Sequence, residues 1–259
     1  YGGLVAWLSD RLAAAGGAIR YGCAVHAIDW HTDRVEVAFR DATGAGTDET
    51  LAARRAIVTL PVGVLKHPGA VHFTPELGEH RAALVKLAMG QIVKVVLCLR
   101  APVWEPRAPS ELAFLHTVDR GVSGFPTFWL RTRDGQRQLT AWAGGPHARA
   151  LYGCTASDLA ERAIAGFGLS IGVARQRIAD AVGDFHVHDY DADRLSRGAY
   201  SYTRVGGTAA CETLARPLAG GRLIFAGEAT DARYQGTVAG ALASGVRAAA
   251  EVAAAAAHS

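Results

Sequence analysis

The sequence has few cysteines and almost no excess of charge of either sign. Its 4 cysteines lie at positions 23, 98, 154 and 211, and no two are spaced as C-x-x-C. A chain of 259 residues can bury a core without disulfides, so we expect reduced thiols and a cytoplasmic protein. The net charge is +3, with the basic residues scattered along the chain, which predicts no nucleic-acid partner.

Long hydrophobic runs and a recognisable start are also missing. The longest apolar runs, Ile92–Leu99 and the alanine-rich C-terminal stretch, contain Lys94 and Glu251, so we expect no membrane span. The first residue is a tyrosine, the single methionine is Met89, and no signal-peptide pattern opens the chain. We therefore expect this chain to be a piece of a longer protein.

Several short motifs of enzymes and cofactor sites are absent. The chain has no G-x-S-x-G elbow and no G-x-G-x-x-G fingerprint, which removes the commonest hydrolase signature and the usual phosphate-cradling loop. The nearest match, Gly166-Phe-Gly168, follows a predicted helix rather than a strand and is interpreted as a helix stop.

Two clusters of potential metal ligands also fail as metal sites. The acidic run Asp189-x-Asp191-x-Asp193 has Arg194 and Tyr200 where a calcium loop needs glycine and glutamate. The pair His186-x-His188 has no evident third ligand apart from these acids. We expect no metal site.

Hydrophobic periodicity mixes helices with strands. Apolar spacing predicts helices over 4–15 and 236–257, strict alternation predicts a strand over 34–40, and β-branched residues predict a strand over Ile92–Leu99. No βαβ period repeats, so the predicted fold class is α/β in the mixed α+β sense, with antiparallel sheets.

The C-terminal segment carries the most information. A buried strand, L-I-F-A, runs into Gly227-Glu228, and the run Y-Q-G-T-V-A-G-A-L-A-S-G follows from Tyr234. Gly236, Gly240 and Ser244 are spaced by four, so one helix face is nearly bare. Two interpretations stay open: close helix packing, or the approach of a flat ring to a helix N-terminus that favours electron-rich atoms.

This segment resembles the C-terminal flavin-binding signature of the flavin-containing amine oxidases, which include polyamine oxidases, monoamine oxidases and lysine-specific histone demethylases. Other stretches resemble the family in the same order along the chain. They are G-C-A-V-H-A-I from Gly22, T-L-P-V-G-V-L-K from Thr59, F-T-P-x-L from Phe73, M-G-Q-I-V-K-V-V-L from Met89, and R-G-A-Y-S-Y from Arg197.

The resemblance implies a site for FAD, held non-covalently because the flavin-linking cysteine has no counterpart here. Lys94 matches the catalytic lysine that holds a water at flavin N5, and it shares its strand face with apolar Ile92, Val96 and Cys98, which argues against simple solvation. The implied cofactor-binding residues are Val25, Pro61, Gly227, Glu228, Gly236, Thr237 and Val238. The implied substrate-pocket residues are Tyr190, Tyr202 and Tyr234, with Tyr190 standing where many relatives have tryptophan.

The implied reaction is hydride transfer from the carbon next to an amine to flavin N5, followed by imine hydrolysis and reduction of O2 to H2O2. The implied partners are a small-molecule amine, O2 and a missing N-terminal segment. The implied domains are part of an FAD-binding domain over 1–60, a substrate-binding domain over 61–219 and the end of the FAD-binding domain over 220–259.

Two alternatives stay open. One is an L-amino-acid oxidase of the same superfamily, for which Arg131 or Arg133 would pair with the substrate carboxylate. The other is a catalytically incomplete fragment that does not bind FAD alone.

Overall fold

The computed structural model describes residues 1–31, 33–43, 46–103, 114–117, 123–133 and 135–257, with the side chain of Arg133 also left out. The strands are β1 (Cys23–Asp29), β2 (Val35–Asp41), β3 (Glu49–Ala53), β4 (Ala56–Val58), β5 (His72–Thr74), β6 (Leu87–Met89), β7 (Ile92–Leu99), β8 (Phe114–His116), β9 (Thr127–Arg133), β10 (Gln136–Gly144), β11 (Val182–Asp189), β12 (Ser201–Thr203) and β13 (Leu223–Phe225). The helices are α1 (Gly2–Ala14), α2 (Val62–Lys66), α3 (Glu79–Lys86), α4 (Pro146–Arg149), α5 (Ala156–Ile171), α6 (Arg175–Ala181), α7 (Ala210–Ala215) and α8 (Val238–Ala257), with short 3₁₀ turns at Ala219–Gly221 and Glu228–Thr230.

A five-stranded antiparallel sheet has the order β11-β7-β10-β9-β8. Side chains alternate along β7, so Val93, Val95 and Leu97 lie in a buried core. Lys94, Val96 and Cys98 on the opposite face are half-buried. Helix α5 packs on the buried face, and its Phe167 is fully buried. We call this cluster, which spans residues 93–181, the sheet core.

A second core lies beside the four-stranded sheet β3-β2-β1-β5 and the parallel pair β13-β4. Its buried residues come from two separate stretches, 28–87 and 210–229, and we call it the split core. Residues 62–87 therefore pack together with β1, although the predicted domain boundary lies at 61. That boundary remains a prediction.

Helices α1 and α8 are largely exposed. Helix α1 has no buried residue and presents Val5, Trp7, Leu8 and Leu12 to the surface. Among the described helices, α8 alone is long and apolar enough to cross a membrane by length and composition, against the expectation from Glu251. Its Arg247 nevertheless ties it to the protein body by donating to the carbonyls of Phe225 and Ala215.

The predicted helix stop at Gly166-Phe-Gly168 is wrong, because α5 continues to Ile171 and ends at left-handed Gly172. The two glycines serve packing instead of termination. A Cβ on Gly166 would lie 2.3 Å from Ser123 Oγ, and one on Gly168 would lie 2.7 Å from the Val173 carbonyl oxygen. The predicted mixed α/β fold class is confirmed, and the predicted strand Ile92–Leu99 matches β7.

Candidate functional site

Lys94 projects from the half-buried face of β7 into a cavity of about 390 Å³. We call it the Lys94 cavity. Its lining residues are mostly aromatic or apolar: Ile92, Lys94, Trp129, Thr140, Trp142, Tyr190, Ala199 and Tyr200. Among the described residues, the Lys94 ammonium has no hydrogen-bond or ion-pair partner. A cation in this setting is available to hold a water or a polar ligand.

Cross-strand register brings the aromatic walls around Lys94. Trp142 of β10 is its partner on one side, and His188 of β11 is its partner on the other. The rings of Trp129 and Trp142 meet edge to face, with centroids 6.0 Å apart. Such pairs form rigid walls that exclude water from part of a cavity.

The loop 198–200 adds the remaining walls of this cavity. Gly90 N donates to the Tyr200 carbonyl at 2.7 Å, and Ala199 N donates to the Gly90 carbonyl at 3.0 Å. This pairing places Tyr200 over the cavity beside Tyr190, which the sequence had assigned to the pocket.

The structure does not bring the other two predicted pocket tyrosines to the Lys94 cavity. Tyr202 lines a neighbouring cavity. Tyr234 lies half-exposed beneath the Arg233 guanidinium, 5.0 Å from its ring centroid. Trp129, Trp142 and Tyr200, which do line the Lys94 cavity, were missed by the sequence interpretation, although Tyr200 stands within the quoted R-G-A-Y-S-Y run.

A second cavity, of about 240 Å³, brings predicted Pro61, Gly227 and Glu228 together. Ala199 lines both this cavity and the Lys94 cavity, so the two are adjacent. Gly227 has φ 128° and no atom within 4 Å of the position that a Cβ would occupy. A side chain there would fill open cavity space, so the glycine leaves room for a bound group.

Glu228 holds the start of α8 against β12. Its carboxylate accepts hydrogen bonds from Ser201 N at 2.9 Å, Ser201 Oγ at 2.8 Å and Gly236 N at 2.7 Å. Gly236 has φ 75°, and a Cβ on it would lie 3.6 Å from a carbon of the Tyr200 ring. The helix start is therefore next to a wall of the Lys94 cavity.

Thr237 is the N-cap of α8. Its Oγ1 accepts from Gly240 N at 3.0 Å and donates to the Tyr234 carbonyl at 2.7 Å. Among the described residues, the N–H groups of Val238 and Ala239 have no protein acceptor. They are the free donors that a helix N-terminus offers.

The bare face of α8 is explained by close packing. A Cβ on Gly240 would lie 2.3 Å from the Tyr234 carbonyl oxygen. Ser244 Oγ accepts from Gly227 N at 2.8 Å. This face therefore contacts the turn after β13, and of the two interpretations left open by the sequence, the packing one holds for Gly240 and Ser244.

Val25 lies apart from these cavities, on β1. It pairs with Phe39 of β2, whereas β5 pairs with β1 only from Ala27 onwards. On the side of β1 that faces β5, Val25 therefore lies beyond the last paired residue, where its backbone can meet a ligand.

The acidic run 189–193 shapes a turn. Asp189 accepts from the backbone N–H groups of Asp191 and Ala192, and Asp193 accepts from Leu195 N. The Leu195 bond is the main reason that the pKa of Asp193 is lowered. His188 lies 3.3 Å from Asp193. These acids are thus engaged as turn caps.

The structure locates the side chain of only one of the two arginines considered for a substrate carboxylate. Arg131 is exposed on β9 and lines none of the described cavities. The side chain of Arg133 lies outside the described residues.

Curated proteins that are similar to this chain include a lysine-specific histone demethylase and a polyamine oxidase. The chain is 30% identical over 253 residues to lysine-specific histone demethylase 1 homolog 1 of Oryza sativa subsp. japonica, covering 93% of this chain and 28% of that protein. It is 30% identical over 243 residues to polyamine oxidase 3 of the same organism, covering 92% of this chain and 46% of that protein. The chain thus spans less than half the length of these curated relatives.

Solved structures share the fold. Wild-type putrescine oxidase bound to putrescine superposes with a TM-score of 0.77 at 18% identity, covering 95% of this chain and 51% of that one. Cyclohexylamine oxidase from Brevibacterium oxydans gives a TM-score of 0.76 at 18% identity, covering 96% and 52%. The family model for flavin containing amine oxidoreductases matches residues 3–253. With nearly the whole chain matched, and with Lys94 and Glu228 lining adjacent cavities, the chain belongs to the flavin-containing amine oxidoreductase family.

Proposed function

We propose that this chain supplies the substrate side and part of the cofactor side of an amine oxidase that binds FAD non-covalently and oxidises a small amine. The observation that carries the proposal is the junction of two cavities at Ala199. One cavity holds an unpaired lysine among aromatic walls, and the other is lined by Pro61, Gly227 and Glu228.

The residues present fit a flavin on this chain's own geometry. Gly227 leaves space that a Cβ would fill, and the free N–H groups of Val238 and Ala239 mark the positive end of α8. Pro61, Glu228 and Thr237 would complete the flavin side, and the backbone of Val25 would meet the adenine. When bound, FAD would accept a hydride from the carbon next to the amine nitrogen and pass its electrons to O2, forming H2O2.

The chain itself has three tasks in this proposal, two carried by side chains and one by backbone groups. The aromatic walls of the Lys94 cavity exclude water and hold the substrate carbon in one orientation, which lowers the entropic part of the barrier. The Lys94 ammonium holds a water by hydrogen bonding. The N-terminus of α8 stabilises negative charge through its dipole and free donors. The substrate imine is then hydrolysed by water.

Replacing the lysine tests this assignment. In the full-length protein loaded with FAD, Lys94→Met keeps a side chain of similar length and removes the ammonium. We therefore expect flavin reduction or reoxidation to slow by at least about tenfold in stopped-flow absorbance. Lys86→Met, at an exposed position at the end of α3, is the matched control. Traces for Lys94→Met that match the wild type would end the proposed role of Lys94.

We further propose that a second segment, with the phosphate-cradling loop that this chain lacks, completes the cofactor site. The exposed apolar face of α1 supports this, since an amphipathic helix normally buries such a face. The chain alone should purify colourless. An absorbance spectrum with stoichiometric flavin would contradict this and show that the chain suffices. A cytoplasmic location remains a proposal, supported by four cysteines that are all free.

A further inference from the structure

A third cavity, of about 570 Å³, adjoins the Lys94 cavity. The two share Ile92, Trp142 and Tyr200 as common walls. Four cationic side chains line the third cavity, and we call it the cation cavity. They are Lys66, Arg149, Arg197 and Arg204.

No carboxylate of the described part of the chain lines the cation cavity. Among the described residues, none of its four cations forms an ion pair, although other arginines of the chain pair with acids, such as Arg247 with Glu251. The nearest acid along the hydrogen-bond path is Asp191. The neutral amide of Gln91 lies between Arg149 and Asp191. It accepts a hydrogen bond from Arg149 and donates one to Asp191 at 3.3 Å.

The cations are held in place by contacts that leave their charge uncompensated. Lys66 Nζ donates to the Leu87 carbonyl at 2.6 Å. Burial, and to a lesser extent the Arg204 charge, lower the pKa of Lys66. Arg197 Nε is buried and has no hydrogen-bond partner among the described residues. Four side chains from separate segments thus converge with unused donors, an arrangement that favours an anionic ligand.

We propose that the substrate is an amine whose chain carries a carboxylate at its far end, with the amine in the Lys94 cavity and the carboxylate in the cation cavity. The proposal rests on the proposed function for its amine half only. A diamine of the same length would place its second ammonium against four cations without a counterion, which is unfavourable. The cation cavity therefore selects against polycationic amines.

Binding measurements on the 259-residue chain test the charge preference without turnover. The ligands are 5-aminopentanoate, 1,5-diaminopentane, pentylamine and pentanoate, which share chain length and differ in terminal charge. By isothermal titration calorimetry, we expect 5-aminopentanoate to bind at least about tenfold more tightly than 1,5-diaminopentane, with the difference shrinking as salt rises. Equal or tighter binding of the diamine, or no binding of 5-aminopentanoate, would overturn the proposal.

Substitutions locate the anion site. Arg204 and Arg149 are exposed enough to be replaced without disturbing a core, so Arg204→Gln and Arg149→Gln should each weaken binding of 5-aminopentanoate about fivefold to tenfold. Arg131→Gln, an exposed arginine on β9 outside the cavity, is the matched control and should leave binding unchanged. Equal weakening by the control would show a non-specific charge effect and refute the site.

Pentanoate separates this inference from the proposed function. It carries the carboxylate and no amine, so its binding, lost in Arg204→Gln, reports on the cation cavity alone. If both carboxylates bind and the FAD-loaded protein oxidises no amine, the proposed function fails and the anion site stands. If the protein oxidises 1,5-diaminopentane more efficiently than 5-aminopentanoate, the function stands and the inference fails.

Discussion

Two helices of similar apolar content, α5 and α1, differ in how completely they are covered. Helix α5 buries its inner face on the sheet core, begins with a capping box between Thr155 and Asp158, and ends at left-handed Gly172. Helix α1 has comparable apolar content but no side-chain cap and no buried residue. Apolar content therefore predicts both helices equally well, whereas capping and tertiary contacts distinguish them.

The sheet core and the split core meet where the proposed chemistry lies. Lys94 belongs to a strand of the sheet core, whereas Gly227 and Glu228 follow a strand of the split core. The loop 198–201 joins them, because Tyr200 is held by Gly90 and Ser201 by Glu228. The proposed substrate side rests on the sheet core, and the proposed cofactor side rests on buried β13 and on the start of the largely exposed helix α8.

The largest expected effect tests the contrast between the two helices directly. Phe167→Ala removes a fully buried ring from the sheet core and should lower the free energy of unfolding by about 3–5 kcal/mol. Trp7→Ala, on exposed α1, should change it by less than about 0.5 kcal/mol. Urea denaturation followed by circular dichroism measures both. A large cost for Trp7→Ala would show that α1 is packed in solution and would remove the contrast.

The same contrast explains how far the sequence predicts the site. Alternation in I-V-K-V-V-L-C-L places Lys94 opposite the core face, because strand side chains alternate whatever they pack against. Trp129 and Trp142 reach Lys94 only through cross-strand register, which short motifs do not encode.

Two further parts of the site depend on long-range contacts. Tyr200 lines the Lys94 cavity and Tyr202 does not, because the backbone of Tyr200 pairs with Gly90. The side chains that line the cation cavity come from four separate parts of the chain, so no local sequence pattern predicts this cavity.

The junction itself should be sensitive to Glu228. Glu228→Ala removes the acceptor of two backbone N–H groups and one hydroxyl, from buried Ser201 and half-buried Gly236, and should cost about 1–3 kcal/mol of unfolding free energy. Glu36→Ala, at an exposed position on β2, is the control and should be nearly neutral. Equal small effects for both would mean that contacts other than those of the Glu228 carboxylate hold the junction between the two cores.

Helix caps provide a finer comparison between the regions. Thr155→Ala removes the capping box of α5 and should cost about 1 kcal/mol of unfolding free energy. Thr237→Ala removes the cap of α8, which is largely exposed, so its main effect should be faster amide hydrogen exchange in the first turn of that helix. A global loss of the same size in both variants would show that α8 is as tightly coupled to its core as α5.

The smallest effect concerns pH and separates the cores by their titrating groups. His80 is buried in the split core region with its ring near Phe225, and burial is the main reason that its pKa is lowered. Because the folded protein resists protonating this ring, the unfolded chain binds more protons below the ordinary histidine pKa of about 6.5, so stability should fall as pH decreases through that value. His80→Gln, which keeps a donor for the Arg216 carbonyl, should make the free energy of unfolding less dependent on pH between 5 and 7. An unchanged pH dependence in His80→Gln would mean that the acid sensitivity does not arise from the split core.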